Sequence, residues 1–133
     1  MDKSLNAKLL NPLSLAYVGD AVLDQHVRTY IILKQQSKPN RLHQAATRFV
    51  SAKSQAATLE VLLAGDWFTE AELDVLKRGR NAKSYTKAKN TDIQTYRKSS
   101  ALEAVIGYLY LDGQHERVTA LLNKIVLIVE ERS

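Results

Sequence analysis

An all-α domain is the architecture this chain predicts, because apolar residues recur at three-and-four spacing almost throughout and no stretch alternates as a strand would. Only two prolines and five glycines interrupt that pattern. With 133 residues there is room for one hydrophobic core and not for two, so residues 1–133 are expected to form a single domain.

The elements follow in order. Asn11 before Pro12 is a strong helix start, a side-chain cap followed by a residue with no amide hydrogen to leave unpaired, and the first helix is predicted over residues 12–35. The turn SKPN leads to a helix over residues 41–49 and another over 52–64, with a kink at Ser51 between them and Gly65 as the stop. Thr69 and Glu72 form a capping box that opens a helix over residues 70–78, ended by Gly79. Residues 80–96 are polar and without periodicity, which predicts a long loop of the kind usually kept for function. A very apolar helix over residues 99–111 and an amphipathic one over 116–131 complete the chain.

Composition removes several classes of function. The absence of cysteine excludes disulfides, thiolate metal sites and thiol nucleophiles, so any chemistry must come from oxygen or imidazole groups. No apolar run is long enough to span a membrane, and the opening MDKSLNAKLL lacks the apolar core of a signal peptide; a cytoplasmic protein with no membrane partner is expected. A net charge of +5 favours polyanionic partners. His26, His43 and His115 share no ligand spacing and are assigned to packing or surface.

Two carboxylates stand out because each is nearly alone in an apolar helix. In LSLAYVGDAVL the only charge is Asp20, which falls on the stripe Leu13, Ala16, Asp20, Leu23, Val27 and Tyr30, a core-type position. In ALEAVIGYLYL the only charge is Glu103. Gly19 beside Asp20 and Gly107 one turn after Glu103 would let the two helices approach closely, so that the acids could meet. Two desolvated carboxylates repel unless one protonates, each pairs with a Lys or Arg, or a hard cation binds both. Oxygen-only ligation with open positions for water and phosphate suits Mg2+. Asp24, one turn after Asp20, is assigned to the surface ahead of the site.

Between Lys77 and Lys98 eight basic residues face one acid, Asp92. Interleaved hydroxyl and amide side chains suit phosphates and ribose hydroxyls, which points to a nucleic acid backbone. The candidate contacts are Arg78, Arg80, Asn81, Lys83, Lys87, Lys89 and Arg97, on a segment that runs straight into the helix carrying Glu103.

The stretches LAYVGDAVLD and SSALEAVIGYLYLDG resemble the signature helix and the second acidic motif of the ribonuclease III family. KPNRLHQAATRFVSAKSQA, LKRGRNAKS and KNTDIQTYR bring the likeness closest to its small subfamily, Mini-ribonuclease III, across residues 11–112. The resemblance implies a helical endonuclease domain that dimerises through the signature helix and cuts both strands of double-stranded RNA with Mg2+. It further implies trimming of the large-subunit (23S) ribosomal RNA precursor, with ribosomal proteins as further candidate partners, and no separate double-stranded RNA-binding domain. By position, Asp20 and Glu103 take the two essential metal-linked acids. Acids of the larger relatives are replaced by Leu13, Ala16 and Ser100, a reduction the subfamily shares and one that leaves a sparse site. The competing expectation is a non-catalytic RNA-binding module acting in ribosome assembly, which would keep the basic loop and have no need of Asp20 and Glu103.

Overall fold

The structure, a computed structural model, describes residues 6–34, 38–82 and 92–132. Among these residues there are six α-helices and no strand: α1 (Pro12–Lys34), α2 (Leu42–Val50), α3 (Ala52–Ala64), α4 (Glu70–Asn81), α5 (Ile93–Leu111) and α6 (His115–Arg132). Short 3₁₀ turns at Ala7–Leu9 and Pro39–Arg41 precede α1 and α2. No helix is long and apolar enough to cross a membrane.

The local start signals act as anticipated. The Asn11 side chain accepts the Leu13 amide at 2.8 Å. Ser51 closes α2 and caps α3, its hydroxyl accepting the Ser54 amide at 3.1 Å, so the expected kink is a clean break between two helices. The capping box is complete: the Thr69 hydroxyl accepts the Glu72 amide at 3.2 Å while Glu72 accepts the Thr69 amide at 2.9 Å. Glu72 is also buried, and Arg117 of α6 pairs with both its oxygens at 2.7 and 2.8 Å while lying 3.7 Å from the Trp67 ring.

Two boundaries differ from expectation by more than one residue. Gly79 does not end α4, which continues to Asn81; a methyl group there would stand 3.0 Å from Ala101 Cα, so this glycine serves a close helix contact instead of a stop. Helix α5 begins at Ile93, because Asp92 caps it by accepting the Thr95 amide at 2.8 Å; residues 83–91 of the predicted loop lie outside the described residues. Gly65 stops α3 at Ala64 as expected, with φ −87°, and the left-handed residue is the next one, Asp66 (φ 53°).

Helix α5 is the hub. From Ser99 to Leu109 it is buried everywhere except at Glu103, and it packs most extensively on α1, then on α4 and α3. The buried face of α1 runs through Leu15, Ala16, Gly19, Leu23, Val27 and Ile31. That corrects the predicted stripe by a fraction of a turn: Gly19 faces α5, and Asp20 sits at the edge of the contact, exposed. The register follows from backbone approach. A methyl group on Gly19 would overlap the Glu103 carbonyl oxygen, and one on Gly107 would overlap that of Leu15. Only two residues without Cβ allow the helices this close.

Candidate active site

The Gly19–Gly107 contact brings the two isolated acids together. Asp20 follows Gly19 and Glu103 lies one turn before Gly107, so both carboxylates emerge on the same side of the crossing, close enough for Asp20 to perturb Glu103. Burial first, and then the neighbouring Asp20, push the Glu103 carboxyl up to about 8, and Asp24 adds to this through space. A donor opposes them: the Gln55 amide nitrogen of α3, 3.2 Å from Glu103 Oε2, favours the ionised form.

An open groove of ≈ 460 Å³ runs past Asp20, lined also by Tyr17, Asp24, Gln25 and Tyr110, while Glu103 lies behind Asp20 and does not line it. Asp24 is half-buried on its wall, 3.9 Å from Arg28, and so is closer to the acids than a plain surface role implies. A second cleft of ≈ 500 Å³ lies beside the C-terminal half of α1, between Arg28, Ile32, Pro39 and His43, and has no acid pair. His26 is half-buried, hydrogen-bonded to Asn123 and lowered by burial, which makes it a packing residue.

A carboxyl raised by burial and by a neighbouring carboxylate belongs to an oxygen-only donor set in want of positive charge. Beside them the buried Gln55 side-chain oxygen has no hydrogen-bond partner. No cluster of three or more acids, histidines or cysteines suited to a metal occurs among the described residues. The donor set therefore fits a cation that takes one or two protein carboxylates and keeps most of its water, as Mg2+ does.

The basic residues divide. Arg80 and Asn81 are exposed at the end of α4, and Arg97 is exposed on α5, about 9 Å along the helix axis from Glu103. Lys83, Lys87 and Lys89 lie outside the described residues. Arg78 differs from its expected role as an RNA contact: it is half-buried and donates to the carbonyls of Lys8 and Leu10 (2.9 Å for the latter), tying α4 to the segment before α1. Gln55 is the site residue that the sequence reading missed. Its signal was a polar amide at a core position of α3, in step with Leu59 and Leu62.

Comparison with known proteins places this geometry. Residues 13–114 match the Ribonuclease III domain family. The chain belongs to the ribonuclease III family and is an endoribonuclease. Within that family it is similar to the Mini-ribonuclease 3 of Staphylococcus aureus, 72% identical over 125 residues that cover 94% of this chain and 93% of the relative. The Mini-ribonuclease 3 of Enterococcus faecalis is 51% identical, covering 87% and 88% of the two chains, and that of Streptococcus pneumoniae 45%, covering 95% and 98%. A crystal structure of a protein from Fusobacterium nucleatum shares the fold, with a TM-score of 0.78 over 94% of this chain and 96% of that one at 24% identity.

Proposed function

We propose that this endoribonuclease cuts double-stranded RNA in a Mg2+-dependent reaction, with the large-subunit ribosomal RNA precursor as its substrate, and that it works as a cytoplasmic homodimer of one catalytic domain per chain. The observation that carries the reading is the meeting of Asp20 and Glu103 at the two-glycine crossing, beside an open groove.

Asp20 and Glu103 are the residues that would hold the cation. Bound Mg2+ supplies a Lewis acid for the scissile phosphate and lowers the pKa of the attacking water. The remaining work falls to the chain. Glu103, fixed from behind by α3, sets the position of the negative charge, while exposed Asp20 presents its carboxylate to the groove. Hydrolysis leaves a 5′-phosphate and a 3′-hydroxyl. Arg80, Asn81 and Arg97, with Lys83, Lys87 and Lys89, bind the phosphate backbone on either side; A-form RNA hides its base edges, so shape and ribose hydroxyls direct recognition. The apolar surface of α1 around Tyr17, which is 83% exposed, is where two chains pair, giving one groove for each RNA strand.

The test is to incubate wild type and Asp20→Asn with a duplex from the ribosomal RNA precursor, in Mg2+ and then in EDTA, while sedimentation reports the oligomeric state. Cuts on both strands by a wild-type dimer, absent from the mutant and from EDTA, are expected. Duplex binding without cleavage in any lane would overturn the catalytic assignment, and a cleaving monomer would overturn the paired sites.

A further inference from the structure

We propose that Gln55 is a positioning residue of the cation site, acting through Glu103; the inference rests on the reading of Asp20 and Glu103 as the Mg2+ ligands. Gln55 is 2% exposed, and its side-chain nitrogen donates to two acceptors, the Val50 carbonyl at 2.9 Å and Glu103 Oε2 at 3.2 Å. Its side-chain oxygen is buried with no partner. An amide placed for its own satisfaction would use both ends, and a stranded buried acceptor is costly. Here both neighbours of the nitrogen can accept, and a carbonyl backbone oxygen cannot donate, so turning the amide around would set oxygen against oxygen. The Val50 carbonyl, which can only accept, therefore fixes the orientation and leaves the second N–H for Glu103.

The anchor comes from the break between α2 and α3. Helix α2 ends at Val50 and Ser51 starts α3, so the Val50 carbonyl is one of the orphans that every helix end leaves. Gln55 takes up that orphan and, held by it, points its second N–H at Glu103. The carboxylate is thereby fixed in one orientation before any cation arrives. Partners that orient ligands from behind are worth about 10- to 100-fold in metal affinity.

The experiment is calorimetric titration of the folded full chain with Mg2+ alone, and separately with Mn2+ alone, in wild type, Asp20→Asn, Gln55→Met and Gln55→Asn. Gln55→Met keeps the volume and loses the donor; Gln55→Asn keeps the amide but is a methylene too short to span both acceptors, and serves if the first does not fold. Ser54→Ala is the control, because neighbouring Ser54 is buried too but accepts from Arg132 at 2.8 Å. Affinity should fall about tenfold or more in both Gln55 variants, and it should hold in Ser54→Ala whatever happens to its melting temperature. If Asp20→Asn abolishes binding while both Gln55 variants bind as wild type does, Gln55 only packs and this inference alone fails. If wild type and Asp20→Asn bind equally, the metal reading of the acid pair fails and takes the inference with it.

Discussion

Replacing Glu103 by glutamine should stabilise the metal-free protein, and by an amount that grows with pH. In the folded chain the Glu103 carboxyl is raised to about 8 by burial and by Asp20, while in the unfolded chain it returns to the ordinary value of 4.5. Between those values the unfolded chain releases the proton and the folded chain keeps it, so stability is greatest below pH 4.5 and is lost as pH rises toward 8. At 1.36 kcal/mol per pH unit the penalty has a ceiling that climbs from roughly 1 kcal/mol at pH 5 to about 4 at pH 8. One side of the pair faces the open groove, and water there should halve the difference to about 2 kcal/mol, or a melting shift of roughly 8 °C for a chain of this size. The assay is thermal unfolding by circular dichroism in EDTA at pH 5, 6.5 and 8, comparing wild type with Glu103→Gln. Their melting temperatures should nearly coincide at pH 5 and separate at pH 8 with the mutant higher, and Mg2+ should raise wild type alone. Curves that stay parallel across the three pH values, or a mutant that melts lower at pH 8, would refute the reasoning.

Gly107→Ala should cost about 3 kcal/mol in urea unfolding, because its methyl group overlaps the Leu15 carbonyl and drives α1 from α5; an unchanged midpoint would contradict the two-glycine crossing. Arg117→Ala should cost about 3 kcal/mol or more at pH 7 by the same measurement, since it strands the carboxylate of buried Glu72. Arg78→Ala and Arg97→Ala should separate cleanly. The first should lower the melting temperature, because Arg78 ties α4 to the Lys8 and Leu10 carbonyls. The second should leave melting alone and weaken duplex RNA binding, measured in the Asp20→Asn background, with a salt slope shallower by about one. Equal effects of the two on RNA binding would overturn that division.

Helix existence and most helix starts were legible in the order of residues, for a physical reason: periodicity and capping involve partners within a few positions of each other. Asn11 with Pro12, Ser51, and Thr69 with Glu72 each complete their interaction inside one turn. The two acids were legible as well, since a lone charge in an apolar helix stands out without knowledge of its neighbour. Glycines were ambiguous. Gly79 reads equally as a helix stop or as a place of close approach, and only Ala101 and Ala104 of α5 decide between them.

What the sequence determined by itself was therefore an all-helical chain with Asp20 and Glu103 as its chemical anomalies, because those facts are written in local spacing. Tertiary structure decided which atoms of distant segments meet. It turned Gly19 instead of Asp20 toward α5, leaving the aspartate at the mouth of the groove. It spent Arg78 on backbone carbonyls, and it placed Gln55 behind Glu103. Each of these depends on a contact between residues dozens of positions apart, and packing at the helix crossings, not spacing along the chain, selects such partners.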